Sequence, residues 1–306
     1  MIDAVVMGRV GIDLYPNQIS TPLRDVRTYT RFVGGFAGNL ATGLARLGVR
    51  TAIVSRVGDD GHGEFVRDFL AAEGVDVRFL RTDPDWPTPP TFCEVWPEEH
   101  WFPITFYRKP TCPDWQLSPH DFDRDAVADA RLLYATGTGL AQSPSRDTTL
   151  TALEEHRGFT IFDLDWRPTL WERAADYPPL AAGAVAAADL VIGNEEEVAA
   201  AQVSDVPTLI LKRGERGATV YENGTETDVP VFPVEVVNGL GAGDAFAAAV
   251  GHGLLNGLSL VESVRRGSVA GALVASQLAC SEAMPRLEDL ELAAKNAAHF
   301  PREVAP

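Results

Sequence analysis

Short apolar runs alternate along the chain with stretches whose apolar residues recur every three or four positions. Ile2–Met7, Thr51–Val57, Leu132–Ala135, Phe159–Leu164, Leu190–Ile192 and Thr208–Leu211 are nearly unbroken apolar runs. They predict strands buried on both faces. Asn39–Leu47, Glu64–Ala72, Asp121–Ala130, Arg146–His156, Glu195–Ala201, Ala242–Leu255 and Leu260–Leu278 carry the helical period, and the Ala-rich Leu180–Ala188 is a good helix former. This alternation predicts an α/β fold, a mostly parallel central sheet with helices on both faces. Right-handed crossovers then bring the carboxyl ends of the strands, and any ligand site, to one edge.

Two stretches break the rhythm. Leu14–Val33 and Thr91–Arg108 have strand character with no helix between, and a proline-rich segment, Asp83–Pro90, precedes the second. They could pair as a small accessory sheet over the site or at a subunit contact; ordinary surface hairpins would give the same pattern. Late in the chain, Val231–Val237 reads as a further strand leading into the helix at Ala242.

Composition removes several classes of function. With 26 Lys+Arg against 43 Asp+Glu, the formal charge is −17. Such a chain is repelled by polyphosphate backbones and anionic membrane surfaces, so neither nucleic acid nor membrane is an expected partner. No apolar stretch approaches the length of a membrane span and no export signal is visible, so a cytoplasmic protein is expected. Three cysteines without a C-x-x-C spacing predict reduced, buried thiols.

The strongest chemical signal is Asn238-Gly239-Leu240-Gly241-Ala242-Gly243-Asp244. Its glycines let successive backbone N–H groups converge, and a helix N-terminus there adds partial positive charge. Such a nest suits a phosphate or a developing oxyanion, and Asp244 could take a proton from an alcohol. A dinucleotide fingerprint needs glycine where Asp244 stands. A P-loop needs Gly-Lys, and Lys109, Lys212 and Lys295 all lack the glycine. A plain glycine-rich helix start, with Asp244 as a favourable charge, would look the same on this segment alone.

Other positions acquire meaning only in combination. Gly34-Gly35 with Asn39 allows close approach by a polar ligand, or simply a capped turn. In Asp163-Leu164-Asp165-Trp166-Arg167-Pro168 the strand period puts Asp163, Asp165 and Arg167 on one side, where Arg167 could hold an oxyanion or pair with an aspartate. Asn194 and Glu197, at i and i+3 of a helix start, suit a hydrated magnesium ion or an N-cap. Lys212 and Gly214, in a glycine-bearing turn, could reach nucleotide phosphates. Asp13 closes the first strand region and Arg108 the second irregular stretch.

In this order, Gly34-Gly35 with Asn39, Asn194 with Glu197, and Gly241-Ala242-Gly243-Asp244 resemble the ribokinase-type (pfkB) carbohydrate kinases over nearly the whole chain. The resemblance implies a Rossmann-like core over 1–13, 34–88 and 111–306, with a small β-sheet lid over 14–33 and 89–110 and a possible homodimer through the lid. It implies ATP and Mg²⁺, with Asp244 as base and the Gly241, Ala242 and Gly243 turn stabilising the transferred phosphoryl group. Asp13, Gly34, Gly35 and Asn39 would bind the sugar; Asn194, Lys212, Gly214, Gly241 and Gly243 would bind ATP; Asn194 and Glu197 would place magnesium, largely through water.

Gly8-Arg9-Val10-Gly11-Ile12-Asp13-Leu14-Tyr15-Pro16, Phe106-Tyr107-Arg108, Asp163–Pro168 and Ala283-Met284-Pro285 are similar to the branch serving myo-inositol breakdown. That similarity implies 5-dehydro-2-deoxygluconate as acceptor, its carboxylate gripped by Arg108 and Arg167. The alternatives are a 2-keto-3-deoxygluconate kinase, a fructokinase, or a sensor without turnover. Two positions depart from the family pattern. Asn238 stands where an aspartate usually helps hold a monovalent cation, which puts potassium dependence in doubt, and Asp165 replaces a usual asparagine.

Overall fold

The computed structural model describes residues 2–204 and 206–297. Its strands, in chain order, are β1 (Ala4–Met7), β2 (Gly11–Pro16), β3 (Tyr29–Gly34), β4 (Thr51–Gly58), β5 (Leu80–Asp83), β6 (Pro90–Cys93) and β7 (Ile104–Phe106). They continue as β8 (Leu132–Thr136), β9 (Phe159–Asp163), β10 (Leu190–Asn194), β11 (Thr208–Lys212), β12 (Ala218–Glu222) and β13 (Thr225–Val229). The helices are α1 (Phe36–Arg46), α2 (Gly61–Ala72), α3 (Arg124–Ala128), α4 (Ser145–Glu155), α5 (Tyr177–Ala186), α6 (Glu195–Ala201), α7 (Ala242–Leu255), α8 (Leu260–Ala275) and α9 (Leu287–Ala297).

The large sheet runs β13-β12-β11-β10-β9-β8-β1-β4-β5. It is parallel from β11 to β5, and β12 and β13 extend it as an antiparallel edge. The unbroken apolar runs follow from burial on both faces. In β1, Ala4 and Val6 enter the layer beneath α1, α2, α7 and α8, while Val5 and Met7 enter the layer beneath α3, α4, α5 and α6. Leu132 and Tyr134 divide from Leu133 and Ala135 in the same way.

The two irregular stretches form a separate small sheet of order β3-β2-β6-β7. Its β2–β3 and β6–β7 pairs are antiparallel and its β2–β6 pair is parallel. β2 starts at Gly11, so Asp13 stands on the small sheet rather than at the end of the core strand. Tyr15, Phe32, Cys93 and Val95 on the underside of this sheet pack with Cys280 against Leu240 and Leu278 of the core.

Three expectations change. Residues 231–237 form no strand; Pro230 and Pro233 remove ladder donors, and the chain is tied instead by Val237 and Asn238 N–H groups donating to the Ala275 carbonyl. α3 starts only at Arg124, because the Asp123 carboxylate accepts the Ala126 N–H and caps it there. α8 stops at Ala275, before the predicted Leu278. No helix among the described residues is long and apolar enough to cross a membrane.

Candidate active site

The parallel strands end beneath the small sheet. There β1 delivers Arg9, β9 delivers Asp163 and Asp165, β10 delivers Glu197 through the start of α6, and β11 delivers Lys212. With Asp13, Tyr15, Thr91 and Cys93 from the small sheet, they enclose a polar cavity of about 170 Å³. A second cavity of about 420 Å³ lies alongside, lined by Phe232, Val236, Phe246 and Ala272, with His100 and Phe102 reaching in from the loop after β6. Lys212, Gly239 and Gly243 line both, so the two spaces meet at the start of α7.

That meeting point is built by the glycine turn. Gly241 has φ +82, and a Cβ there would fall 2.5 Å from that of Cys280, so this position requires glycine on two counts. Asn238, fully buried, holds the turn from behind: its Nδ2 donates to the Leu278 carbonyl at 2.7 Å and its Oδ1 accepts the Leu240 N–H at 3.1 Å. The first-turn N–H groups of α7 have no intrahelical acceptor and carry the helix's partial positive charge. Asp244 sits in this turn, and its Oδ2 accepts a 2.7 Å hydrogen bond from Asn39 Nδ2. Burial, with repulsion from Asp165 and Asp163, pushes its carboxyl up to about 7, against the pull of Asn39 and Arg9.

Opposite Asp244 lies a network of acids and bases. Lys212 Nζ is 3.2 Å from Asp163 Oδ2 and 3.9 Å from Glu197 Oε2. Burial still raises Asp163 to about 6, because Glu197 and Asp165 oppose the effect of Lys212. β9 ends at Asp163, and Asp165 adopts φ +33 beyond it, its N–H donating to Asp163 Oδ1. Asp163, Asp165 and Arg167 thus share the cavity through a turn as well as through strand alternation. Asp165 Oδ2 takes Arg9 Nη2 at 3.1 Å and the Thr138 hydroxyl at 2.6 Å, while Oδ1 lies 3.2 Å from Arg167 Nη2. Burial alone would raise Asp165; the two guanidinium groups and Thr138 outweigh it and hold the carboxyl below its ordinary value.

Most of the residues singled out in the sequence converge here: Asp13, Gly35, Asn39, Arg167, Glu197, Lys212, Gly241, Gly243 and Asp244 all line the polar cavity. Gly214 and Ala242 line the apolar one. Burial raises Asp13 to about 6 even though Arg9 and the Cys280 thiol oppose it. Gly34 acts one step back: a Cβ there would fall 2.1 Å from the Asp13 carboxyl carbon. Asn194 does not reach either cavity lining. Its Oδ1 caps α6 by accepting the Glu197 N–H at 2.8 Å, and Glu197 Oε2 accepts the Asn194 N–H in return.

Arg108, expected to grip the acid's carboxylate, stands apart from the cavity lining. It is buried outside the cavity, paired with Asp114 at 2.6 and 2.7 Å, and it also donates to the Val10 carbonyl. Both terminal nitrogens of its guanidinium are taken up within the protein, Nη1 by Asp114 and Cys112 and Nη2 by Asp114 and Val10, and removing such a buried pair's partner is costly. Arg9 lines the cavity instead, together with the supporting Thr138 behind it. The available signal was position, since Arg9 stands two residues beyond the end of the apolar run of β1 at Met7.

The chain matches the model of the pfkB family carbohydrate kinases over residues 1–287. It is 35% identical to a 5-dehydro-2-deoxygluconokinase of Clostridium tetani over 95% of this chain and 92% of that one. A 5-dehydro-2-deoxygluconokinase of Geobacillus thermodenitrificans matches at the same identity and coverage. Among solved structures, a sugar kinase of Pyrococcus horikoshii in complex with ATP superposes with a TM-score of 0.84 at 27% identity, covering 93% of this chain and 96% of that one. A fructokinase of Vibrio cholerae in a fructose-, ADP- and calcium-bound form gives 0.82 at 25%, covering 95% and 98%.

Proposed function

The chain belongs to the pfkB family of carbohydrate kinases, and from that premise we propose that it transfers the γ-phosphoryl group of ATP to the terminal 6-hydroxyl of a keto sugar acid, 5-dehydro-2-deoxygluconate foremost. One observation carries the reading: Asp244, its carboxyl raised to about 7, stands where a polar and an apolar cavity meet at a helix N-terminus. The polar cavity suits a sugar and the apolar one an adenosine group. The relatives named 5-dehydro-2-deoxygluconokinase support the acceptor, and the ATP complex of the Pyrococcus kinase supports the donor.

In this mechanism Asp13 and Asn39 orient the sugar hydroxyls and Asp244 takes the proton of the attacking hydroxyl. The amides at Gly241–Gly243 stabilise charge on the transferring group, and Lys212 lies at the passage between donor and acceptor. Catalysis is then alignment plus charge stabilisation. The small sheet serves as a lid that excludes water, whose attack would waste ATP.

No group of three or more acidic, histidine or cysteine side chains able to hold a metal occurs among the described residues. The buried Glu197 carboxylate at the cavity edge would hold a magnesium ion that keeps its waters and takes phosphate oxygens. Such an ion would supply neutralisation of phosphate charge. Both polar atoms of the Asn238 side chain bond within the protein, and potassium dependence is decided by the comparison of sodium with potassium buffers.

The test is ADP release measured with 5-dehydro-2-deoxygluconate, 2-keto-3-deoxygluconate and fructose, in sodium and in potassium buffers. Highest kcat/KM on the first acid is expected. Highest kcat/KM on fructose would refute the acid-sugar reading, and binding without ADP release would refute the enzyme assignment.

A further inference from the structure

We propose that Arg9, positioned by Asp165, holds the carboxylate of the acceptor together with Arg167. The inference rests on the keto-sugar-acid reading above and specifies which side chains confer that selectivity.

Three cations line the polar cavity: Arg9, Arg167 and Lys212. Lys212 is committed to Asp163 and Glu197. Arg9 and Arg167 share a single close carboxylate, Asp165, approached on its two oxygens at 3.1 and 3.2 Å. Glu197 lies farther from Arg167, at 3.7 Å. Arg9 and Arg167 thus present two guanidinium groups to the cavity with one close acid, Asp165, held between them.

The Arg9 fork is also fixed in advance. Nε donates to the Thr138 hydroxyl at 2.9 Å, Nη2 donates to Asp165, and the guanidinium stacks 5.4 Å from the centre of the Phe106 ring on the small sheet. Nη1 has no hydrogen-bond partner among the described residues. An arginine immobilised on three sides, with a free edge at a cavity, is organised to meet a planar anion. Asp165 is the positioning residue: it sets both forks from a turn with φ +33 and stays ionised because they surround it. The clamp includes Phe106, so acid recognition and placement of the small sheet are joined at Arg9.

Steady-state kinetics on 5-dehydro-2-deoxygluconate and fructose test the assignment in wild type, Arg9→Met, Arg9→Lys and Asp165→Asn. Loss of a charge-assisted bond to the acid should raise the ratio of acid-sugar KM to fructose KM by about 10- to 100-fold in Arg9→Met. Arg9→Lys keeps charge without the fork and should show a smaller rise, as should Asp165→Asn. A merely structural Arg9 would lower kcat on both sugars and leave the ratio in place; that result, or an unchanged acid-sugar KM, overturns the inference. Should Arg9→Met fail to fold by circular dichroism, the ratio in Arg9→Lys decides in the same way. A wild type that prefers fructose sinks the acid-sugar reading and this assignment together. A wild type that prefers the acid, beside an Arg9→Met that does so equally, sinks this assignment alone.

Discussion

Asn39 Nδ2 donates to Asp244 Oδ2 across 2.7 Å, joining the first turn of α1 to the first turn of α7 over a separation of 205 residues. The bond favours the carboxylate, yet burial prevails and the group titrates at about 7. A base with this value is half ionised near neutrality, the region where proton transfer is most effective. kcat/KM should therefore rise with pH through about 7, and Asn39→Ala should move that rise to higher pH. A pH–rate profile flat between 6 and 8 would count against Asp244 as the base. Asp244→Asn should lower kcat by about a hundred- to ten-thousand-fold while sugar still binds.

The same carboxyl has a thermodynamic consequence. Its value in the fold lies above the ordinary 3.8, so the fold resists its ionisation. The contribution to stability is present below about pH 4 and is lost as pH rises through 7. Asp244→Asn should melt higher than the wild type at pH 8 and show no such advantage at pH 4. Thermal melts at the two pH values check the crossing; a variant less stable than wild type at pH 8 would contradict it.

Gly34 lends itself to a test of sugar contact made without touching the sugar. A methyl group there would fall 2.1 Å from the Asp13 carboxyl carbon, so Asp13 must move out of its place. Gly34→Ala should raise the sugar KM and destabilise the fold by about 1–3 kcal/mol, the usual range for overpacking. The KM for ATP should change little, because Gly34 lines neither cavity. Equal rises in both KM values would point to general collapse instead.

The sequence made the parallel core readable because burial on both faces leaves continuous apolar runs, as in β1, β8 and β9. The edge hairpin β12–β13 and the short β5 were not readable, since exposed and half-polar strands lose that mark. Val231–Val237 misled for the opposite reason: its residues are apolar because they border a cavity and the core, while prolines keep them out of any ladder. For the site, the glycine turn and Asp244 could be found from local chain chemistry. The placement of Arg108 away from the cavity could not, because it depends on Asp114, which meets Arg108 only through the fold.

Arg108 and Asp114 are each about 97% buried and make a two-bonded pair beside the crossing from β1 to β2. Asp114 also accepts the Val10 N–H at 3.0 Å. Removing the arginine leaves an uncompensated buried carboxylate, at a cost of about 3–5 kcal/mol. Arg108→Met should show that loss in urea denaturation, and Asp114→Asn in the same chain should recover part of it. The ratio of acid-sugar to fructose KM should stay at the wild-type value, since Arg108 lies outside the cavity. A selective loss of acid-sugar use in Arg108→Met would restore the grip first expected of it.

Lys212 offers a stability test whose sign depends on pH. Its ammonium opposes the burial that raises Asp163 to about 6, and it also faces Glu197. Without it, the value for Asp163 must rise further, so the ionised form becomes more costly to bury. A carboxyl raised in the fold loses its contribution to stability as pH climbs through that raised value. Lys212→Met should therefore be near wild type in melting temperature at pH 5 and well below it at pH 8. A replacement that merely left a packing defect would lower the melting temperature equally at both, and that outcome would remove Lys212 from the charge network. Glu197→Gln added to Lys212→Met should narrow the gap at pH 8, because it takes away one of the two acids left facing each other.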